Sequence, residues 1–383
     1  MLTSRENLLK VFRHEKPEWI PVIAHIDPFN QPSREGMDPV LQEALGTVTF
    51  GDGSDLAFTE ALGVEVMDNV NPPIECKYHK TTVERIDLAD GWVTRYKTPY
   101  GELHEKYKYV REDGTTFCME HMVNGEDDLK IFMHILDDAE YVLRDGALDF
   151  IQDLKTKIGD RGLLRAYMPG TPLGMMVRFY TRLDTLSYLW ADNRDELHSL
   201  LDVMGENHLR QFELAASLGY DILYGTDDTS TTTISPGMFE EFCMGYTDRI
   251  ADALHKYGVL YCHHSCGHVN KLLDLYRQTR MDVVDAIGPR PNDVPTFAMI
   301  REMLGPNIAI ISGMAWTRDP HSKDTAEERK KVAEVIEYRF KESAPGHNIV
   351  FSIHPFPFHN MDQMNFVAEE CKKHQRMFSG VRI

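Results

Sequence analysis

Short apolar runs recur along the chain, each followed by a stretch of helical period, and this rhythm constrains the fold more than any other feature. Residues 163–168, 221–225, 258–261, 283–287, 308–313 and 348–352 read as strands, preceded by 19–27 and by a short strand at 63–68. They are almost continuously apolar, as parallel strands covered on both faces must be. Counting gives about eight or nine β-then-α units, which predicts a (β/α)8 barrel. An open doubly wound sheet is the alternative, but no glycine-rich phosphate fingerprint follows the first strand to support it.

Local signals fill in the rest. Thr3-x-x-Glu6 is a capping box ahead of Leu8, Leu9 and Phe12, and predicts a first helix that Pro17 ends. Helical patterns cover about 127–158, the region from Gly170 to Leu218, and Ser235–Tyr257 with Pro236 in its first turn. Further helices are expected at 268–280, 294–304 and 324–342, with a closing helix. Residues 81–123 differ: Trp92–Lys97 and Glu102–Tyr107 alternate in polarity between turn signals at Asp90-Gly91 and Pro99-Tyr100-Gly101. An antiparallel hairpin or small meander inserted in a single barrel domain over 1–383 is therefore expected.

Composition narrows the class of function. A net charge of −19 argues against nucleic acid and anionic membrane surfaces as partners. Nothing approaches the ~18 apolar residues of a membrane span. The N-terminal residues Met1–Asn7 lack the apolar core of a signal peptide, and the six cysteines (76, 118, 243, 262, 266, 371) are scattered, so a cytoplasmic protein with reduced thiols is expected.

Chemistry concentrates at Cys262, His263, His264, Ser265, Cys266, Gly267 and His268, at the end of a strand. Thiolate and neutral imidazole are what a zinc site needs, and His264-x-Cys266 places both donors on one side of a continuing strand. A catalytic zinc keeps three protein ligands, so a third must come from elsewhere; His354 follows a strand, with Cys243 as the alternative. Barrel enzymes work at the C-terminal ends of their strands. Those ends here carry His25 and Asp27, Asp68, Tyr167, Asp227 and Asp228, Asp285, Ser312, and His354 with His359. Asp227 and Asp228 are adjacent carboxylates, costly to bring together without a metal, a cation or a shared proton. Either could instead cap the threonine-rich turn Thr229–Thr233, and Asp68 and Asp285 could be helix caps. His263 and His268 are surface or supporting groups on this reading, and Cys371 is incidental.

The chain resembles the uroporphyrinogen decarboxylase-like superfamily. The resemblance rests on Leu8-Leu9-Lys10 and Pro21-Val22, then Thr226-Asp227-Asp228, Ser235-Pro236-x-Met238-Phe239-x-x-Phe242, His255-Lys256-Tyr257-Gly258, His264-Ser265-Cys266-Gly267 and Asp282-Val283-Val284-Asp285-Ala286. It implies a (β/α)8 barrel. The true decarboxylases carry an arginine-rich segment after the first strand, where this chain reads Ala24 to Asn30 without arginine. His264-x-Cys266 is instead similar to the zinc motif of the corrinoid-dependent methyltransferases. In these a further cysteine follows near the last strand, where this chain has Val350 to Pro355; His354, Cys243 and Asp228 stay open as third ligand. The resemblance thus implies a zinc methyltransferase that demethylates a methoxylated compound, such as a phenyl methyl ether. Its corrinoid would be carried by a partner protein, because no Asp-x-His-x-x-Gly segment is present in this chain. Asp227 or Asp228 would orient a ligand, water or leaving group, and Tyr167 and His25 would line the pocket. Methyl transfer from a methylcorrinoid to a thiol, a metal-independent decarboxylase and a non-catalytic corrinoid-protein-binding module are the alternatives. A homodimer is left open.

Overall fold

The computed structural model describes residues 2–24, 56–110, 115–289, 296–313, 325–353 and 361–377. Eight parallel strands form one sheet: β1 (Val22–Ala24), β2 (Val66–Asn69), β9 (Gly162–Pro169), β10 (Ile222–Thr226), β11 (Leu260–His264), β12 (Val283–Asp285), β13 (Ala309–Gly313) and β14 (Ile349–Ile353). Their order runs β1-β14-β13-β12-β11-β10-β9-β2. A parallel bridge between Ile23 and Glu65, with the Glu65 amide donating to the Val22 carbonyl at 3.0 Å, joins the two ends into a ring. The repeated β-α rhythm therefore closes as a (β/α)8 barrel, because helices on the outside cover one face while the strands' other faces meet in the middle.

Inside the barrel lie Ile23, Met67, Leu163, Ile222, Val283, Ala309, Ile311 and Val350. The first helix, Ser4–Phe12, plugs the N-terminal end of this core with Leu8, Val11 and Phe12. Its capping box forms as the sequence predicts, and Arg5 pins it by a bidentate pair to Asp221 at 2.5 and 2.9 Å. The plug leaves the opposite end, where the strands' C-termini lie, as the side on which chemistry can be built.

Between β2 and β9 the chain departs from the barrel. β3 (Ile74–Tyr78) pairs antiparallel with β8 (Ala139–Leu143), and β4 (Thr82–Leu88), β5 (Gly91–Thr98), β6 (Gly101–Val110) and β7 (Thr115–Glu120) form an antiparallel four-stranded meander. The meander agrees with the alternation in 81–123. The expected helix at 127–158 is corrected: helices Glu126–Asp137 and Ala147–Ile158 flank β8. Ala139 to Leu143 can take a helical or an extended form, and a partner strand over 60 residues away decides for the latter. The helix expected at 268–280 is reduced to Leu273–Tyr276. Here Thr231 and Ser230 hold the backbone of His268, at 2.8–3.0 Å, in a non-helical path. The region 171–218 is broken by a π-helical turn at Met176–Tyr180 before helices Leu183–Asp192 and Arg194–Ser217.

Candidate active site

Side chains alternate along a strand, so the inward face of β11 carries Cys262 and then His264. Register places Tyr224 of β10 beside Cys262 on one side and Tyr167 of β9 on the other, and Asp285 of β12 beside His264. Parallel pairing of β9 to β12 thus gathers polar groups that the sequence spreads from Tyr167 to Asp285.

His264 is the hub, with 24% of its side chain exposed. Its Nδ1 meets the Tyr224 hydroxyl and stands 3.5 Å from Asp285 Oδ2. With Nδ1 engaged there, Nε2 is the nitrogen left for a ligand. Burial works against a charged imidazole, yet Asp285 and Cys266 outweigh it and push the His264 pKa up to about 10. Cys266 Sγ in turn donates to Asp228 Oδ1 at 3.5 Å. Imidazole, thiol and carboxylate therefore follow one another at the ends of β10 and β11.

Two loops fix that order. Thr231 binds the backbone of His268, and Ser230 Oγ accepts from the His268 amide at 3.0 Å. Gly267 adopts φ +84°, and a Cβ there would lie 2.7 Å from Ser230 Oγ. Only glycine allows both the left-handed turn and the approach of the threonine-rich loop. Below, Thr229 Oγ1 lies 3.0 Å from His263 Nε2, 2.9 Å from the Tyr276 hydroxyl and 3.2 Å from Ser265 Oγ. His263 is fully buried, and desolvation lowers its pKa to about 4, so it serves as a neutral member of this network.

Arg165 lies deeper, fully buried within the barrel. Its Nε donates to Asn69 Oδ1 at 2.5 Å, and its guanidinium lies 4.6 Å from the Tyr224 ring centre and 5.9 Å from that of Tyr167. Asp285 attracts it electrostatically. An arginine in the apolar run Leu163 to Met168 is a sequence signal that could have marked this position. Tyr224 and Asn69 carried no comparable signal, and Asp285, a strand-end group that could also have been a cap, lies beside His264.

The other sequence-predicted residues separate. Tyr167 packs edge-on against Tyr224 with ring centres 5.3 Å apart. Asp227 is buried, with Oδ2 accepting from the Thr171 amide at 2.6 Å and Oδ1 from the Asp228 amide at 2.8 Å. Gly174 makes room for it, since a Cβ there would lie within 1.8 Å of Oδ1. Asp68 and Ser312 are buried on the strand faces opposite Met67 and Ile311, toward the helix layer. Cys243 is fully buried and its thiol donates to Thr171 Oγ1 at 3.6 Å; burial raises its pKa strongly. His25, Asp27, His354 and His359 lie outside the described residues.

Among the described residues, no three His, Cys, Asp or Glu side chains enclose a common point. His264 and Cys266 nevertheless fit zinc in kind: an imidazole oriented through Nδ1 by a carboxylate, and a thiol beside it.

Fold and site together define a (β/α)8-barrel protein whose polar groups converge at the C-terminal mouth. The family model for uroporphyrinogen decarboxylase (URO-D) matches residues 126–373, and the chain belongs to that family. No curated protein sequence matches it. Among solved structures, the chain is similar to a methyltransferase from Methanosarcina mazei, with a TM-score of 0.61 and 16% identity over 97% of this chain and 99% of that one. A B12-independent methionine synthase from Shewanella sp. W3-18-1 gives a TM-score of 0.46 and 11% identity over 83% of this chain and 86% of that one.

Proposed function

We propose that this protein is a zinc-dependent methyltransferase that moves a methyl group from a methoxylated compound, of the phenyl methyl ether class, to the Co(I) corrinoid of a partner protein. The observation that carries this reading is the contiguous Asp228–Cys266–His264 series, with Asp285 and Tyr224 behind the imidazole. The Methanosarcina protein of like fold, itself named a methyltransferase, supports it.

His264 through Nε2 and Cys266 through its sulfur would hold the metal, with His354 as third ligand. Zinc bound there supplies Lewis acidity at the ether oxygen. Asp285 accepts from Nδ1 and keeps the ring in the ligating orientation. Arg165 balances the Asp285 charge from below. Asp228 accepts the proton that Cys266 gives up and, once protonated, can return it to the departing phenolate oxygen. The bonding pair would stay on that oxygen, and the partner's Co(I) corrinoid would supply the nucleophile for the methyl carbon.

The test is metal content, wild type beside Cys266→Ala, followed by methyl transfer from a methoxyaromatic compound to a reduced corrinoid protein. About one zinc per chain in the wild type, lost together with transfer in the variant, is expected. Full transfer by zinc-free protein would overturn the Lewis-acid role. Loss of CO2 from a carboxylated substrate without metal would place the chain with the decarboxylases.

A further inference from the structure

A cavity of about 280 Å³ lies beside the barrel mouth, between the β3–β8 ribbon and the end of β9. Tyr167, Met168 and Pro169 form its barrel wall, and Gln211 of the helix Arg194–Ser217 reaches it. The ribbon contributes Ile74, Cys76 and Tyr141, with Cys76 and Tyr141 directly opposed in register.

Two observations decide what this space takes. Among the described residues, no Lys, Arg, His, Asp or Glu lines it. Burial also raises the pKa of Cys76 and of Tyr141, so its thiol and hydroxyl stay neutral. An anionic guest would find no counter-charge among these residues. The second is size: a partly open space of about 280 Å³ has room for a single ring with one or two small substituents. Ile74 and Pro169 offer apolar walls, Met168 a sulfur that favours aromatic rings, and the tyrosine hydroxyls and Gln211 amide offer hydrogen bonds.

The cavity is also built from two sources. The family match covers 126–373, whereas Pro72, Ile74 and Cys76 precede it. The β3 side of the ribbon wall thus lies outside the match, whereas Tyr141 and the barrel wall lie within it. Tyr167 connects the space to the site, since its ring packs on Tyr224, whose hydroxyl meets His264.

We propose that this cavity is the specificity site of the protein, and that it binds a neutral, single-ring aromatic compound bearing a hydroxyl or ether group. The inference rests on the methyltransferase reading for its role in the reaction but not for the binding itself. The binding therefore requires neither corrinoid nor metal.

Calorimetric titration of the full chain with 2-methoxyphenol, with benzoate as the charged one-ring comparison, tests it. Cys76→Phe puts a ring into the space from a solvent-exposed strand position, and Cys76→Ser preserves its volume. The expected result is binding of 2-methoxyphenol by the wild type and Cys76→Ser. Cys76→Phe should weaken it at least about tenfold, with melting temperature and zinc content unchanged. Unchanged affinity in Cys76→Phe, no binding by the wild type, or equal binding of benzoate would each overturn the proposal. Binding that behaves as expected in a protein that transfers no methyl group would overturn the reaction and leave the site standing.

Discussion

His264 and Cys266 were legible in the sequence as donors at spacing two, although the strand expected to carry both ends at His264, and Cys266 lies in the loop after it. Their supports were not. Asp285 and Tyr224 reach His264 only because β10, β11 and β12 pair in one register, and Arg165 reaches Tyr224 only because β9 pairs beside β10. A carboxylate on the far nitrogen of a ligating imidazole fixes the ring, and its removal usually costs 10–100-fold in metal affinity. Asp285→Asn should therefore weaken zinc binding by about that factor while leaving one site per chain, measured by chelator competition. Wild-type affinity in this variant would mean that Asp285 serves Arg165 alone.

At the scale of elements, the chemistry depends on a loop holding a loop. The threonine-rich turn after β10 packs on the Ser265–His268 segment after β11, which explains why both motifs occur together in the sequence. Gly267→Ala places a side chain at φ +84° and against Ser230 Oγ. The left-handed backbone alone costs about 1–2 kcal/mol, and the contact adds to it. Denaturant unfolding should show that loss, and the double variant with Ser230→Ala should recover only the contact part. Full recovery would show that the backbone conformation carries no cost. The barrel elements were readable here because each β-α unit announces itself locally. The β3–β8 ribbon was not, because Ala139 to Leu143 become a strand only by pairing with Ile74 to Tyr78 across the meander. That same non-local pairing builds one wall of the cavity beside the mouth, so the least legible element borders the substrate side.

The whole molecule couples these parts through its closed ring, plugged at its N-terminal end by the first helix. The plug is testable by packing: Phe12 is 1% exposed, and Phe12→Ala should cost about 3–5 kcal/mol in urea unfolding. An effect below ~1 kcal/mol would mean that the helix docks on the barrel without filling it. A second global property follows from His208, which is buried where the long helix Arg194–Ser217 meets Tyr246 and the end of β9. Desolvation lowers its pKa to about 4, with the Gly170 backbone carbonyl opposing the shift. The unfolded chain regains the ordinary value of about 6.5, so between those two values it binds the proton that the folded barrel refuses. Stability from this group is therefore complete above pH ~6.5 and falls as the pH drops toward 4, by up to ~3 kcal/mol, with no further loss below. Unfolding midpoints measured from pH 7 to pH 4 should fall less steeply in His208→Gln than in the wild type. Parallel profiles would show that His208 accepts its proton in place, and that the acid limit of the barrel is set by other groups.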